Sequence, residues 1–433
     1  MTPSYLHAPV DSLSAQALTA TGLRARLVDV GNEAEVSEWV RADFRGFHHG
    51  NPSQETVAEF RKDLAQVRTV GVYDPNAANG WPVGTVASWV TDLTLPGGTR
   101  LASWAISSVT VAPTHRRRGM ATALLEGELR TARAAGVPLA ILTVSESVIY
   151  GRWGFGPATF ATSWSVDTKR VRWVGGATPG TLSFTNPDEY ANTANRVITK
   201  IMTERHGEID TRVRPMAQRR LFVPLSGDEY PERHRLVRYD SPTGEPEGFI
   251  NYMVEERPDY TQHRVTVEYL AATSDRALRA LWRYVLELDL VSEVRVALRG
   301  VDEPLHALVS DVRGAKVTGV EDHLWVRILD VPAVLSARRY EADDTLVFEV
   351  TDEQEFTTGR YRLTVVEGVG TVEATDAEAD ATLAVSTLGS LVLGHRWAHQ
   401  LALAEKIVAL PSVVDRVDRL FGTAVPPRLS TWF

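Results

Sequence analysis

The chain has 433 residues, 44% hydrophobic and 23% charged: an ordinary globular composition, too long for one core and sized for two or three domains. A formal net charge of −9 argues against nucleic-acid binding by bulk electrostatics and mildly favours cationic partners. The absence of cysteine excludes disulfides, thiolate metal sites and cysteine nucleophiles, and suits a reducing compartment. No apolar run approaches bilayer length, and the first residues lack the basic-then-apolar pattern of a secretion signal, so the expectation is a cytoplasmic protein without membrane partners.

In chain order, residues 1–22 read as a loose leader. A strand "RARLVDV" follows, then a helix "NEAEVSEWVRADF" with Val36, Trp39 and Val40 on one face, and a second helix "SQETVAEFRKDL" capped by Ser53. "TVGVYD", "PVGTVASWVTDLTL" and "RLASWAISSVTVAP" read as a meander whose last two strands turn at Pro-Gly-Gly. A long amphipathic helix, "RRRGMATALLEGELRTARAAG", stops at Gly136 and leads to a buried strand "PLAILTV", a short helix in "ESVIYGRWGFG" and a closing strand "ATFATSWSVD". This makes one α/β domain over 23–171. Residues 172–330 echo it: a helix in "EYANTANRVITKIMTERHG", strands "HRLVRYD", "GFINYMVEE" and "HRVTVEYLAAT", a helix "SDRALRALWRYVLELD" and a strand "EVRVALR". Residues 331–433 place strands first and helices after, the last two in "WAHQLALAEKIVAL" and "SVVDRVDRLFG", as in a small α+β domain. Pro426 and Pro427 keep the final "RLSTWF" out of a helix.

The chemistry concentrates in "SSVTVAPTHRRRGMATALLEGEL". A strand ends at Val111, a proline turn follows, and a helix is expected to begin near Arg117, with Arg116-x-x-Gly119-x-Ala121 at the junction. Unpaired N–H groups and the dipole at a helix start favour a phosphate-bearing ligand, small residues let it approach the backbone, and arginines add charge. A solvated basic turn would have the same charges without that order of strand, small residues and helix. Neither the G-x-x-x-x-G-K-[ST] loop nor G-x-G-x-x-G is present.

This pattern resembles the acyl-CoA pyrophosphate loop, [QR]-x-x-G-x-[GA], of the GNAT N-acetyltransferases. "LTVSESVIYGRWGFGPAT", "DHLWVRILDVPAVLSARRY" and the aromatic C-terminus narrow the resemblance to the enhanced intracellular survival (Eis) acetyltransferases of actinobacteria. The resemblance implies tandem GNAT-like α/β (α+β) domains, the second degenerate, followed by a sterol-carrier-like α+β domain. It implies acetyl-CoA as cosubstrate, a strand at Val109, Thr110 and Val111 that splays from its neighbour to pair with the pantetheine arm, and a phosphate cradle of Arg116, Arg117, Arg118, Gly119, Met120, Ala121 and Thr122. Ser145 and Glu146 line the same cofactor site. The tail is implied to enter the first active site, with the Phe433 carboxylate as base and Tyr150 as acid. A cationic amine substrate, an aminoglycoside with lysine or polyamine amines as further candidates, and a homo-hexamer are implied as well.

Asp43, Phe44, Trp104 and Trp432 are the candidate substrate contacts; the resemblance leads one to expect an acidic residue at the position of Trp432. In the second domain no glycine opens the helix after "VEYLAAT", and Asp275 would repel a pyrophosphate, so that domain is read as inactive. His395 and His399 sit at i, i+4 without the Glu of a metal helix, and His48-His49 is weaker still; no metal is expected. The alternative class is a lipid or small-ligand carrier with a vestigial GNAT domain.

Overall fold

A computed structural model of the chain describes residues 4–214, 233–395 and 398–433. The first part contains α1 (Ser12–Ala20), β1 (Arg24–Leu27), α2 (Glu33–Gly46), α3 (Gln54–Leu64), β2 (Arg68–Tyr73), β3 (Gly84–Thr94), β4 (Arg100–Val111), α4 (Met120–Ala134) and β5 (Leu139–Thr143). Asn32 and Ser53 cap α2 and α3 by accepting backbone N–H groups of the first turn. The Pro-Gly-Gly turn closes a hairpin of β3 and β4, with Leu95 and Thr99 paired across it.

The expected loose leader is instead part of this domain. Asp11 caps α1, and Ser14 Oγ donates to the Ala123 carbonyl of α4 at 2.6 Å, across from Gly127, where a Cβ would meet that hydroxyl. Ahead of α1, the Tyr5 ring meets Trp104 edge-on at 5.2 Å, and Arg68 donates to the carbonyls of Ala8 and Pro9. The buried positions Leu6, Ser14 and Leu18 are too sparse to stand out as an amphipathic pattern.

Among the described residues the first two sheets have the same plan. The first runs β1-β2-β3-β4-β5, then Leu324–Ile328, then Gly156–Pro157. The second runs Thr181–Phe184, His234–Asp240, Pro246–Glu255, His263–Ala272, Val291–Arg299, then Phe160–Asp167, then Ala315–Asp322. In each, the fourth and fifth strands are parallel and their other neighbours antiparallel. The sixth strands are exchanged: Phe160–Asp167, expected to close the first domain, pairs in the second sheet, and Leu324–Ile328, expected in the second, pairs with β5. The expected division at 171/172 therefore does not follow sheet membership, whereas that at 330/331 separates the strands of the third sheet from those of the first two.

The third sheet orders Val369–Ala374, Gly359–Val366, Asp344–Thr351, Ala381–Ala384 and Ile407–Ala409. The last is an edge strand where "EKIVAL" had read as helix; the helix there ends at Leu403. The core of this domain, with Leu346, Phe348, Leu388 and Phe421, is continuous with Trp89, Leu139 and Val326 of the first. Arg327 of the Leu324–Ile328 strand meets both Asp352 oxygens at 2.8 Å with both side chains buried.

Candidate active site

β4 stays paired with β3 as far as Val111 but with β5 only through Ser103–Ala105. A register shift opposite Thr85–Ala87, with Ser108 at φ 53°, bends β4 at the point where the two part. From Ile106 onward its β5-side edge makes no ladder pairs among the described residues, leaving backbone donors and acceptors available to an extended amide-bearing chain. Val109 and Val111 are half-buried along this stretch. Thr110 is turned inward, its hydroxyl 2.6 Å from that of Thr85, and α2 approaches so closely that only Gly46 fits against it.

The loop after β4 carries two left-handed residues, Arg117 (φ 63°) and Gly119 (φ 74°), and the helix begins at Met120 rather than near Arg117. Met120 is anchored in the core, while no side chain caps the N–H groups of the first turn. Nothing lies within 4 Å of a Cβ built on Gly119, so open space faces the helix start. Arg116, Arg117 and Thr122 are exposed, and Ala121 is half-buried. Arg118 is a correction: its guanidinium turns back to the Thr21 carbonyl at 2.6 Å and to Asp74 at 3.3 Å, where His115 also binds. It braces the loop instead of facing the opening, and leaves only its backbone to the cradle.

Beyond β5, Ser145 and Glu146 are exposed and Tyr150 opens a single turn, Tyr150–Trp153. The Tyr150 ring is buried beside Trp153 and Phe155; burial, reinforced by the Glu146 charge, raises its phenol above the usual range. Thr143, the last residue of β5, donates its hydroxyl to a main-chain carboxylate oxygen of Phe433 at 2.9 Å. The Phe433 ring meets Trp89 edge-on at 5.7 Å. The tail thus lies at the end of the strand that leads directly into the Tyr150 loop.

Trp89 was missed by sequence reading and Trp104 was misplaced. In the β3–β4 register Trp89 faces Ala105 and Val90 faces Trp104, so the two indoles are on opposite sides of the sheet. Trp104 is fully buried toward α4, its Nε1 donating to Glu128 at 3.3 Å, and is not a pocket wall. Phe44 packs on Phe60 and His49 beside the cluster that contains Trp89, and Asp43 is buried on α2. Trp432 is 50% exposed, its ring edge-on to His323. His395 lies against the Phe160 ring ahead of the helix that carries His399, and His399 pairs with Asp415, so the two do not form one metal-facing pair.

Residues 28–158 match the acetyltransferase (GNAT) domain, 214–328 match a second acetyltransferase (GNAT) domain, and 331–430 match the sterol carrier protein domain. An uncharacterized N-acetyltransferase of Streptomyces avermitilis is 35% identical over 402 residues, covering 90% of this chain and 95% of that one. N-acetyltransferase Eis of Mycobacterium tuberculosis is 34% identical over 346 residues, covering 77% and 81%. The chain belongs to the Eis-like N-acetyltransferases. The crystal structure of Eis1 from Mycobacterium abscessus superposes with a TM-score of 0.79 at 28% identity, covering 94% of this chain and all of that one. Like other members of the GNAT family, the enzyme uses acetyl-CoA as its cosubstrate. The parted β4 edge and the uncapped start of α4, with open space before Gly119, fit such a ligand. No helix among the described residues is long and apolar enough to cross a membrane.

Proposed function

We propose that this Eis-like enzyme acetylates primary amines of polycationic small molecules, aminoglycosides first, at more than one position, with lysine and polyamine amines as further substrates. The observation that carries the reading is the seat of Phe433 on Thr143, at the mouth of the parted strands. Val109 to Val111 align the acyl-pantetheine arm through their backbone. Arg116 and Arg117, with the N–H groups from Arg118 to Thr122, receive the phosphates, and Ser145 and Glu146 border the same ligand. The Phe433 α-carboxylate, ionised at neutral pH with an ordinary pKa of about 3.3–3.7, attracts the substrate ammonium and takes its proton, directly or through water. The amine nitrogen then bonds to the acyl carbon, the carbon–sulfur bond breaks, the Tyr150 phenol protonates the departing thiolate, and the second proton that the nitrogen sheds as it becomes an amide returns through solvent to the phenolate. Burial keeps that phenol protonated through neutral pH, as an acid requires. Asp43, Phe44 and Trp432, joined by Trp89, are the proposed amine-side contacts, and a homo-hexamer is the proposed assembly.

Against the carrier reading, a guanidinium sits within the apolar interior of the third domain. Arg338 is fully buried, donating to the carbonyls of Val392 at 3.0 Å and Phe421 at 2.9 Å and lying over the Tyr340 and Phe421 rings. A cation held in this way disfavours an apolar guest.

The test is thiol release from acetyl-CoA with kanamycin, comparing the chain as given with one extended by two residues after Phe433, both shown to bind acetyl-CoA. Turnover by the first and a collapse in the second is the expected result. Equal turnover removes the carboxylate from the mechanism, and no thiol release with any amine removes the substrate reading.

A further inference from the structure

The second domain repeats the parted strands of the first. His263–Ala272 leaves Val291–Arg299 after the Val267–Val296 pair, as β4 leaves β5 after Ala105–Ile141. The repeat is closed to a coenzyme. Ser274 caps the following helix by accepting the Ala277 N–H, so one donor of that helix start is already taken, and Asp275 adds a negative charge. Arg299 occupies the free strand edge, its Nη1 donating to the Leu270 carbonyl at 2.6 Å.

What lies beside this second opening is the C-terminal tail. Arg205 donates to the Pro426 carbonyl at 2.8 Å, and the Arg428 N–H donates to the His206 carbonyl at 3.1 Å. The tail crosses Gly207 so closely that a Cβ there would lie 2.7 Å from the Arg428 carbonyl oxygen. At Ser430 the grip is double: Glu208 Oε2 accepts the backbone N–H at 3.1 Å and the hydroxyl at 3.0 Å, while Tyr269, on the parted strand, places its hydroxyl 2.9 Å from the Ser430 oxygen. All three side chains are buried. Glu208 is also fixed to the first domain, because its carbonyl accepts the Thr94 N–H at 2.9 Å and Ile209 bridges to Leu93. Thr94 and Leu93 end β3, the strand whose Trp89 touches Phe433. A cleft of about 270 Å³ remains next to this contact, lined among others by Arg205, Glu208, Ser274, Arg299, Glu303 and Arg428.

We infer that the lapsed coenzyme opening of the second domain is a peptide seat for the chain's own tail, and that Glu208 is the residue positioning Phe433 for catalysis. The inference rests on the proposed role of the Phe433 carboxylate. Glu208 touches neither substrate; it acts as a fixed point, bonded to the end of β3, from which the last residues of the tail are measured. A displacement of about 1 Å at a reacting group can cost about 100-fold in rate.

The test compares Glu208→Ala, Glu208→Gln and Tyr269→Phe with the parent for kcat, both KM values, acetyl-CoA affinity and thermal midpoint. Glu208→Ala should lose about 10- to 100-fold in kcat at unchanged acetyl-CoA affinity. Glu208→Gln, which keeps an acceptor oxygen for Ser430, should recover most of that loss, and Tyr269→Phe should fall between. A residue that served stability alone would lower acetyl-CoA binding and the thermal midpoint in step with kcat. Parental kcat in both Glu208→Ala and Tyr269→Phe overturns the inference; if Glu208→Ala does not fold, the kcat of Tyr269→Phe decides it. Combining Glu208→Ala with the two-residue extension should give no further loss, because both act through one group. If the extended chain alone keeps full turnover, the carboxylate reading fails, and the kcat of Glu208→Ala still decides whether the tail is positioned from this seat.

Discussion

Acidification from pH 7.5 to 4.5 should weaken the fold through His323, which holds the tail one residue beyond Ser430. Its Nε2 donates to the Thr431 carbonyl at 2.7 Å, its Nδ1 is buried without a partner among the described residues, and the ring is 1% exposed. A proton added at Nδ1 would thus be buried with nothing to receive it. Burial pushes this imidazole down to about 4, against an ordinary value of about 6.5. Above the ordinary value both folded and unfolded chains hold it neutral. As the pH falls below that, the unfolded chain gains a proton that the folded chain refuses, so stability is lost between about pH 6.5 and 4. A difference of about 2.5 pH units amounts to about 3 kcal/mol in full, of which about 2.5 kcal/mol is lost by pH 4.5. The assay is guanidinium unfolding followed by tryptophan fluorescence at several pH values, for the parent and for His323→Gln, which keeps an N–H donor but does not titrate. His206, also pushed to about 4 by burial, is shared by both proteins and drops out of the difference. The parent's advantage over the variant should shrink by about 2–3 kcal/mol between pH 7.5 and 4.5. A difference that stays constant with pH refutes the reasoning.

Tyr150→Phe should lower kcat by about 10²- to 10⁴-fold with acetyl-CoA affinity unchanged, read by thiol release and calorimetry, since it removes only the proposed proton donor. Gly119→Ala should cost about 1 kcal/mol through its left-handed φ of 74°, and should weaken acetyl-CoA binding beyond that, because the new methyl enters the space before α4. Asp352→Ala should destabilise by about 3–5 kcal/mol in thermal or denaturant unfolding, because it leaves Arg327 buried without its carboxylate. Asp352→Leu combined with Arg327→Met should recover the part of that loss that comes from the unpaired guanidinium, but not the part that comes from the Gln354 and Thr357 donors that Asp352 also holds.

The local features of the site were legible because they depend on neighbours in the chain. A strand, two small residues and a helix within Val109–Thr122 announce an open, uncapped helix start whatever the rest of the molecule does, and the caps at Asn32 and Ser53 are equally local. The direction of a side chain across a sheet is not. Both Trp89 and Trp104 fit a half-buried strand, and only the register of β3 on β4 decides which faces the tail. Arg118 is indistinguishable in sequence from Arg116 and Arg117 until Thr21 and Asp74 come within reach of it.

By itself the sequence determined most of the strands and helices of the first two parts, the strand–loop–helix junction around Gly119 and, through resemblance, the family. Periodicity, capping and glycine placement act over a few residues and survive without knowledge of the fold. The tertiary structure decided the exchange of Phe160–Asp167 with Leu324–Ile328, the packing of residues 4–20 on α4, and the route of the tail past Glu208 and His323 to Thr143. These depend on pairings between residues more than a hundred positions apart. Each is selected by which buried edges, hydroxyls and carboxylates remain to be satisfied once the sheets have formed, and no local pattern encodes that remainder.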